Sequence, residues 1–363
     1  MTPSDVSYWV GFSLIPGIGA SRCQRLLGSF GDLGMAWRAS PAELGRAGLD
    51  AKAVEAVVTW RDAIDLDREM ERLAKHNVVA VPMDSPGYPE HLRHIYGPPI
   101  VLYVRGRLET RDEWAIAVVG TRRATAYGRE VTQRIVSALA RSGVTIVSGL
   151  ARGIDSHAHQ AALEAGGRTV AVLGSGLDII YPADNAQLAR RVVENGALVS
   201  EFPLGTKPDA QNFPVRNRII SGLSLGTLVV EAGEGSGALL TAGFALDQGR
   251  DVFAVPGSVF SRASTGTNRL IQQSGAKLTT SADDVLQELN LRMVPQQMEM
   301  RQLLPENETE ATLLNLLKGD PAHIDELVRS TALPAAEIGA TLTVMELKGM
   351  VRHLGGKMYV ASP

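Results

Sequence analysis

The chain has 363 residues, 45% hydrophobic and 21% charged, with a formal net charge of −3. This length supports a large core and more than one domain, and the near-neutral charge argues against a dedicated, highly basic nucleic-acid binder. No apolar run approaches the roughly 20 residues of a membrane helix, residues 1–11 lack the features of a signal peptide, and the single Cys23 cannot form an internal disulfide, so we expect a cytoplasmic location without a membrane partner.

Residues 1–80 are predicted to form an all-helical N-terminal domain. The segment Ser13–Gly31 contains the turn LIPGIG, which resembles the hairpin of a helix-hairpin-helix unit whose glycines expose backbone N–H groups to nucleic-acid phosphates. A tight turn between packed helices, with no ligand, is the alternative. A charged amphipathic pattern covers 51–76, and a Pro/Gly-rich connection covers 82–99.

Residues 81–290 are predicted to form a doubly wound α/β domain with a mainly parallel sheet. After a short strand at Ile100–Val104, the predicted strands read AIAVV, VTIVS, TVAVL, ALVS, TLVVE, VFAV and KLT. These runs lack alternating polar residues, so both faces of the strands should be buried beneath helices. Ligands of such sheets bind at the carboxyl ends of the strands.

Residues 291–308 are polar and Pro-flanked, which indicates a linker. In residues 309–363, three helical patterns precede a strand hairpin at Gly355-Gly356, and this order predicts a winged helix. Residues 306–363 contain five basic and eight acidic residues. Since that balance suits phosphate poorly, we favour a protein-contact or regulatory role for the winged helix over DNA reading.

The segment Ser148–His159, SGLARGIDSHAH, follows an apolar strand and precedes a helical pattern. Glycines at such a corner let the backbone approach an anion, and the first N–H groups of the helix point at it. Three more segments repeat this arrangement, at Ala115–Arg123, Phe213–Gly222 and Thr227–Gly243. The pattern predicts a phosphate site, although Arg129, Arg134 and Arg141 should lie on the solvated face of a helix.

Six motifs occur in one order along the chain. They are GTR at Gly120–Arg122, SGLARGIDSHAH, GSGLDIIYPADN at Gly174–Asn185, FPVRNRIISGLS at Phe213–Ser224, VVEAGEGSGALLTAGFALDQGRDVFAVPG at Val229–Gly257 and TGTNRLIQQSGA at Thr265–Ala276. The ordered set resembles the DNA-processing protein A family, DprA or Smf. The resemblance covers the whole α/β domain, with family-like helical and winged-helix segments on either side.

The resemblance implies an extended Rossmann-like domain that binds single-stranded DNA, protects incoming strands and loads the RecA recombinase during natural transformation. It also implies a homodimer formed through that domain. We expect binding without chemistry, with no catalytic residue, metal or cofactor. Arginines and backbone N–H groups would hold successive phosphates, and the bases would stay accessible for transfer to the recombinase.

Carried over residue by residue, the resemblance implies the following DNA and phosphate contacts. They are Gly120, Thr121, Arg122, Ser148, Gly149, Arg152, Arg216, Asn217 and Arg218. Backbone donors are further expected at Gly174, Ser175, Gly235, Ser236 and Gly237. The family often has lysine where this chain has Arg152, and arginine keeps the charge while adding a planar donor fork.

Several of these residues have other interpretations. Arg218 is alternatively an ion-pair partner of Glu231 or Asp155, and Asn217 alternatively caps a helix. Asp155 is expected at a helix start, or else beside Arg152. Tyr127, Tyr181 and Phe213 lie near the corners, where core or loop packing is the favoured interpretation.

A metal site is not favoured at His157 and His159. On a helix, side chains at positions i and i+2 point about 200° apart, so these two cannot face one ion. We therefore interpret both as packed or surface histidines.

An alternative function is a nucleotide-binding hydrolase that resembles the lysine-decarboxylase-like group. The PGGxGT-type motif of that group, with its downstream glutamate, is not reproduced in EAGEGSGALLTAG. Dinucleotide, Walker-lysine and G-x-S-x-G patterns are also missing from the sequence. A purely structural adaptor is a third interpretation, but packing surfaces rarely place arginines in Gly/Ser-rich strand ends.

Overall fold

The computed structural model describes residues 3–291, 307–317, 321–331, 333–348 and 350–361. The chain forms two compact units, Met1–Arg292 and Met293–Pro363. Most of the predicted linker, from 292 to 306, lies outside the described residues. None of the described helices combines the length and the apolar character that a membrane crossing requires.

Six helices begin the first unit. They are α1 (Pro3–Leu14), α2 (Ala20–Phe30), α3 (Leu33–Arg38), α4 (Pro41–Arg46), α5 (Ala51–Arg61) and α6 (Leu66–Lys75). The amphipathic stretch 51–76 is divided because the Asp65 side chain accepts the Arg68 N–H at 3.0 Å and caps α6. The apolar faces of these helices join the same hydrophobic core as the sheet, so the predicted all-helical segment packs within the first unit.

The LIPGIG turn between α1 and α2 is stabilised by contacts within the N-terminal helices. Ile15 and Ile18 are buried. The Arg22 guanidinium donates to the Gly17 carbonyl and also pairs with Asp50, both at 2.5 Å. These contacts describe a turn between packed helices, and a role of the hairpin in DNA contact stays a prediction.

A nine-stranded sheet forms the centre of the first unit. Its strands are β1 (Val79–Pro82), β2 (Val101–Gly106), β3 (Ala115–Val119), β4 (Thr145–Ser148), β5 (Thr169–Val172), β6 (Gly196–Ser200), β7 (Gly226–Val229), β8 (Asp251–Ala254) and β9 (Lys277–Leu278). The spatial order is β1-β2-β6-β5-β4-β3-β7-β8-β9. Strands β3 to β9 pair in parallel, and β1 and β2 extend one edge in antiparallel pairing. The predicted doubly wound, mainly parallel fold is confirmed, and β1 is an additional strand.

Helices cover both faces of this sheet. They are α7 (Glu90–Arg93), α8 (Ala126–Arg141), α9 (Ile154–Glu164), α10 (Ala186–Glu194), α11 (Asn212–Gly222), α12 (Gly237–Asp247), α13 (Thr265–Gln272) and α14 (Ala282–Glu288), with short 3₁₀ helices at Thr110–Trp114, Ala183–Asn185 and Arg262–Ser264. From β3 the chain continues through β4, β5 and β6 on one side and then returns to β7 on the other. The carboxyl ends of β3 and β7 therefore form the topological switch point, where doubly wound sheets bind ligands.

The second unit is a winged helix, as predicted. It contains α15 (Glu308–Leu317), β10 (Ala322–His323), α16 (Ile324–Thr331), α17 (Ala335–Leu347), β11 (Val351–Gly355) and β12 (Met358–Ala361). The predicted Gly355-Gly356 turn joins β11 to β12, and both glycines have positive φ angles. The apolar side chains of the three helices and the wing form their own core around Leu313, Ile338 and Leu342.

Candidate functional site

A cleft of about 820 Å³ opens at the switch point. It is lined by residues 119–123 after β3, by the start of α11, and by residues 233–241 at the start of α12. The sheet topology thus brings together three of the four glycine- and arginine-rich corners seen in the sequence. The segment after β4 contributes Ala151 and Asp155 to the lining.

Glu231 holds the corner after β3 in shape. Its backbone carbonyl accepts the Thr121 N–H at 2.7 Å, and its buried carboxylate accepts the Thr125 hydroxyl at 2.6 Å and the Thr125 N–H at 3.0 Å. Gly153 contacts the same corner from α9, since a Cβ there would lie 2.2 Å from the Thr121 carbonyl oxygen. The loop that carries Arg122 is therefore held in place by hydrogen bonds to Glu231 and by its close contact with Gly153. The sequence did not identify Glu231 in this role.

Arg122 supplies the exposed positive charge of the cleft. Its Cζ lies 5.4 Å from the centroid of the Phe213 ring, a cation–π distance. No carboxylate of the described residues pairs with Arg122 or with Arg123, which is also exposed and lines the cleft. Two guanidinium groups are thus available to an anionic ligand.

Phe213 and Tyr181 form an aromatic pair at this cleft. Their ring centroids are 5.6 Å apart, and Tyr181 is exposed. Gly174 lies behind the Phe213 ring, because a Cβ at Gly174 would approach its Cδ1 to 2.9 Å. Packing was the favoured sequence interpretation of both aromatics, and their separation by 32 positions concealed the pairing. Gly174 accommodates the Phe213 ring, and its role as a backbone donor stays a prediction.

Arg216 lies beneath the cleft in α11 and is buried. Its guanidinium donates to the carbonyl oxygens of Gly149, at 2.6 Å, and of Val172. Burial lowers the Arg216 pKa to about 10, while the charge of Asp155 opposes this shift. The Nε atom has no hydrogen-bond partner among the described residues. Arg216 therefore ties the ends of β4 and β5 to α11 and places a positive charge in the cleft lining.

Three other predicted contacts are engaged inside the fold. The Ser148 hydroxyl donates to the Val118 carbonyl at 2.6 Å, and the Ser175 hydroxyl donates to the Ile179 carbonyl at 2.8 Å. The Gly149 N–H donates to Asp155 at 3.2 Å, and a Cβ on Gly149 would lie 2.2 Å from Arg216. These residues shape the corners behind the cleft and are outside its lining.

Arg152 lies outside the cleft lining and is paired. Its NH2 group and its Nε lie 2.5 and 3.1 Å from one carboxylate oxygen of Asp184. Both side chains are about two-thirds exposed, so the pair is a weak surface ion pair of roughly 0–1 kcal/mol. A ligand phosphate can replace Asp184 at little cost. Asp155 accepts the N–H groups of Gly149 and Ala151, so it does not orient Arg152 in the way that the alternative interpretation supposed.

Arg218 forms the ion pair that the alternative interpretation anticipated, but with another acid. Its guanidinium pairs with Glu201 at the end of β6, rather than with Glu231 or Asp155. Both side chains are largely buried, and burial raises the pKa of Glu201. Arg216 and Arg218 are two positions apart on α11 and therefore point in different directions. Only Arg216 lines the cleft.

The start of α12 lines the cleft, but the Ser236 N–H predicted as a donor is engaged by the Gly233 carbonyl at 3.2 Å. Gly235, Ser236 and Gly237 all line the cleft, and the Ser236 hydroxyl caps the helix by accepting the Ala238 N–H at 3.4 Å. The Asn217 side chain donates to the Gly237 carbonyl at 3.3 Å and so joins α11 to this turn. Asn217 lies within α11 and caps neither helix.

A buried polar group lies below the corner after β4. Asp155 and His159 are both buried on α9. Burial raises the Asp155 pKa and lowers the His159 pKa to about 3, so the imidazole is neutral. His159 Nδ1 contacts the Thr169 hydroxyl at 2.7 Å, which is the packed role predicted for it. Among the described residues, no group of three or more His, Cys, Asp and Glu side chains is arranged to hold a metal ion.

Residues 79–290 match the model of a family described as DNA recombination-mediator protein A, and residues 299–357 match a DprA winged helix domain. The chain belongs to the DprA/Smf family. It is 36% identical to Protein Smf of Synechocystis over 99% of both chains. It is 46% identical to DNA processing protein DprA of Bacillus subtilis over 63% of this chain and 77% of that protein. The resemblance seen in the ordered motifs is thereby confirmed.

Solved DprA structures share the fold. The X-ray structure of Streptococcus pneumoniae DprA aligns with a TM-score of 0.67 and 34% identity, covering 78% of this chain and 97% of that one. A Helicobacter pylori structure aligns with a TM-score of 0.53 and 28% identity, covering 58% and 95%. That structure concerns the single-stranded DNA binding mode of the Helicobacter pylori DprA.

Proposed function

We propose that this DprA/Smf family member binds single-stranded DNA in the cleft between the ends of β3 and β7. The observation that carries the proposal is Arg122, which has no acidic partner among the described residues and lies over Phe213. A guanidinium beside an aromatic ring can bind a phosphate while the ring stacks on the adjoining base. The Helicobacter pylori relative is described as binding single-stranded DNA, which supports this assignment.

The cleft offers two ligand chemistries, which meet where Arg122 lies over Phe213. Arg122, Arg123 and the glycine N–H groups at the start of α12 would contact the phosphates, because a helix N-terminus and unpaired guanidinium groups attract anions. Phe213 and Tyr181 provide ring faces for bases. Stacking on such faces tolerates every base, so we expect weak sequence dependence and strong salt dependence.

Double-stranded DNA should bind less well than a single strand. In a duplex the faces of neighbouring bases are already stacked on each other, so Phe213 and Tyr181 would have to displace that stacking. A single strand offers free base faces at lower cost.

We propose that the cleft binds without catalysing a reaction. Of the carboxylates that line it, Asp155 is buried and accepts two backbone N–H groups, whereas Glu234 is exposed on the rim. A hydrolase would need a carboxylate or another base that is free to act on the substrate. Asp155 is therefore engaged within the fold and is not free to act as a general base, which is one argument against the nucleotide-hydrolase alternative.

Binding is tested by titrating labelled single- and double-stranded oligonucleotides at several salt concentrations. Arg122→Ala and the double variant Arg122→Ala/Arg152→Ala are compared with Arg141→Ala, which removes an exposed arginine from the far end of α8. We expect Arg122→Ala to weaken binding about tenfold and to lower the salt slope by about one phosphate contact. Unchanged affinity of the folded double variant would contradict the proposal, and nucleotide substrates would then be screened for hydrolysis.

We further propose that the bound strand is protected and transferred to the RecA recombinase in natural transformation, in the cytoplasm and by a homodimer of the Rossmann-like domain. A dimer would align two clefts and raise affinity through effective concentration. Sedimentation of the purified protein tests the dimer. Recombinase filament formation on strands coated by a single-strand binding protein, with and without this chain, tests the transfer.

The winged helix is proposed to contact protein rather than DNA. The side chain of Lys348 at the end of α17 lies 2.8 Å from Glu310, and Glu337 and Glu346 are exposed on α17. Removing the exposed charges of the wing in Arg352→Ala/Lys357→Ala should therefore leave the DNA affinity of the full chain unchanged. A loss as large as that of Arg122→Ala would assign DNA contact to the wing.

A further inference from the structure

Two large apolar side chains lie in water beyond the end of β8. Val259 is 80% exposed and Phe260 is 95% exposed. They occupy the central positions of a turn in which the Ser261 N–H donates to the Ser258 carbonyl at 3.0 Å. Turns ordinarily favour Gly, Pro, Asn, Asp and Ser. Neither turn chemistry nor core packing accounts for an exposed Val-Phe pair here.

Hydrogen bonds hold this turn in shape. Asn268 accepts the Gly257 N–H at 3.1 Å through Oδ1 and donates to the Gly257 carbonyl at 3.0 Å through Nδ2. The Phe260 N–H donates to the Ser258 hydroxyl oxygen at 3.3 Å. The backbone that carries Phe260 is thereby held, so only the side-chain torsions of the ring lose freedom when a ligand covers it, which favours binding.

The turn lies beside the candidate cleft. Strand β8 pairs in parallel with β7, so both strands end at the edge of the sheet where the cleft opens. A Cβ on Gly233, which lines the cleft, would lie 2.9 Å from the Arg262 carbonyl oxygen. The exposed Tyr127 donates its hydroxyl to the Pro256 carbonyl at 2.7 Å. The Phe260 turn therefore lies next to the cleft, at the same edge of the sheet.

The charge beside Phe260 indicates the kind of ligand. Arg262 is exposed, and no carboxylate of the described residues pairs with it. An exposed ring next to an unpaired arginine suits a nucleic-acid strand, since the base stacks and the phosphate pairs. A purely apolar protein surface would desolvate this arginine without a partner.

We propose that Phe260 is a second base-stacking site for single-stranded DNA, occupied by the part of the strand that leaves the cleft past Gly233. This inference rests on the proposed function, because it extends the same bound strand. The base covers the Phe260 ring, and Arg262 contacts a neighbouring phosphate. A short oligonucleotide is held by the cleft alone, whereas a longer strand covers both sites.

The test compares oligothymidylates of about 5 and about 20 nucleotides, lengths chosen to fill the cleft alone or to extend past it. Affinities are measured for the wild type, Phe260→Ala, Arg122→Ala and a matched aromatic control, Tyr96→Ala. Tyr96 is 98% exposed and precedes β2, and its neighbour Ile95 packs against Gly222 at the end of α11 that is remote from the cleft. All four proteins are used as full chains.

We expect Phe260→Ala to weaken binding of the longer strand about tenfold and to leave the shorter strand unaffected. Tyr96→Ala should change neither affinity, and Arg122→Ala should weaken both. If Arg122→Ala weakens both strands but Phe260→Ala matches the Tyr96 control, the second site is wrong and the cleft stands. If Arg122→Ala has no effect on either strand, the proposed function itself fails.

Phe260→Trp provides an independent readout. The indole preserves a stacking face, so binding of the longer strand should be retained, and that strand should quench the added fluorescence while the shorter strand does not. Absence of quenching by the longer strand would overturn the proposal. A change in sedimentation of Phe260→Ala would also overturn it, because the turn would then belong to a contact between two copies of the chain.

Discussion

The guanidinium of Arg122 lies over the ring of Phe213, with 5.4 Å between Cζ and the ring centroid. One side chain comes from the loop after β3 and the other from α11, so the contact spans the mouth of the cleft. The ring also faces Arg216, whose Cζ is 5.9 Å from its centroid. Phe213 thus lies close to one exposed and one buried arginine, and a base stacked on this ring would be close to both charges.

Phe213→Ala should weaken single-stranded DNA binding about tenfold, because base–aromatic stacking is worth roughly 1–3 kcal/mol. The salt slope should stay at the wild-type value, since no phosphate contact is removed. Phe213→Leu is the control, as it keeps an apolar side chain against Gly174 without a stacking face. Fluorescence anisotropy at several salt concentrations measures both quantities. Equal affinities for the leucine variant and the wild type would show that Phe213 only packs.

Asp184→Asn should strengthen DNA binding about two- to fivefold at low salt, because it frees the exposed Arg152 guanidinium for phosphate. The gain should disappear at high salt. Glu55→Gln removes the same amount of charge from an exposed position on α5 and controls for net charge. An equal gain in both variants would assign the effect to overall charge and would remove Arg152 from the binding surface.

His159 should make the protein less stable in acid. Its folded-state pKa is about 3 against an ordinary value of 6.5, because burial and the charge of Arg216 disfavour the imidazolium. The unfolded chain therefore binds a proton that the folded chain does not. The stabilisation is complete above pH 6.5 and is lost as the pH falls from 6.5 towards 3.

Urea unfolding at a series of pH values measures this effect. Between about pH 6 and about pH 4, the wild type should lose up to about 1.4 kcal/mol per pH unit more than His159→Gln, which keeps a polar group near Thr169. The difference between the two proteins cancels the titration of other groups. Parallel curves for the two proteins would contradict the assigned pKa.

The fold was readable from the sequence where the pattern was unambiguous. Strand β3 matches the predicted AIAVV run in both bounds, because a central parallel strand is buried on both faces and is apolar throughout. Strand β1 was missed because it is short and ends at Pro82, where the Pro/Gly-rich connection begins. Its pairing with β2 depends on a contact across some 20 residues that no local pattern indicates.

The candidate site was readable only in part. The sequence located the corners, since glycines and arginines at strand ends are local signals. It could not show which side chains turn inward. The Ser148 hydroxyl is bonded to the neighbouring strand β3, and Arg218 meets an acid from β6. The direction of each side chain depends on partners that are distant in sequence and become neighbours only in the folded sheet. The same holds for the pairing of Tyr181 with Phe213.

Glu231→Gln tests whether the support of the Arg122 loop contributes to binding. The Glu231 carboxylate accepts hydrogen bonds from both the hydroxyl and the N–H of Thr125. In the glutamine variant one of these oxygens becomes an NH2 group, which is itself a donor and cannot accept the bond. A buried donor left without an acceptor costs about 1–3 kcal/mol. We therefore expect the free energy of unfolding to fall by about this amount.

DNA affinity should fall severalfold in Glu231→Gln at temperatures where the protein stays folded, because the misplaced loop no longer holds Arg122 over Phe213. Thr125→Ser is the control, since it retains the hydroxyl and the N–H and should bind DNA like the wild type. Circular dichroism at the titration temperature verifies that each variant is folded. If Glu231→Gln is destabilised but binds DNA normally, then Glu231 supports the fold alone and the position of Arg122 does not depend on it.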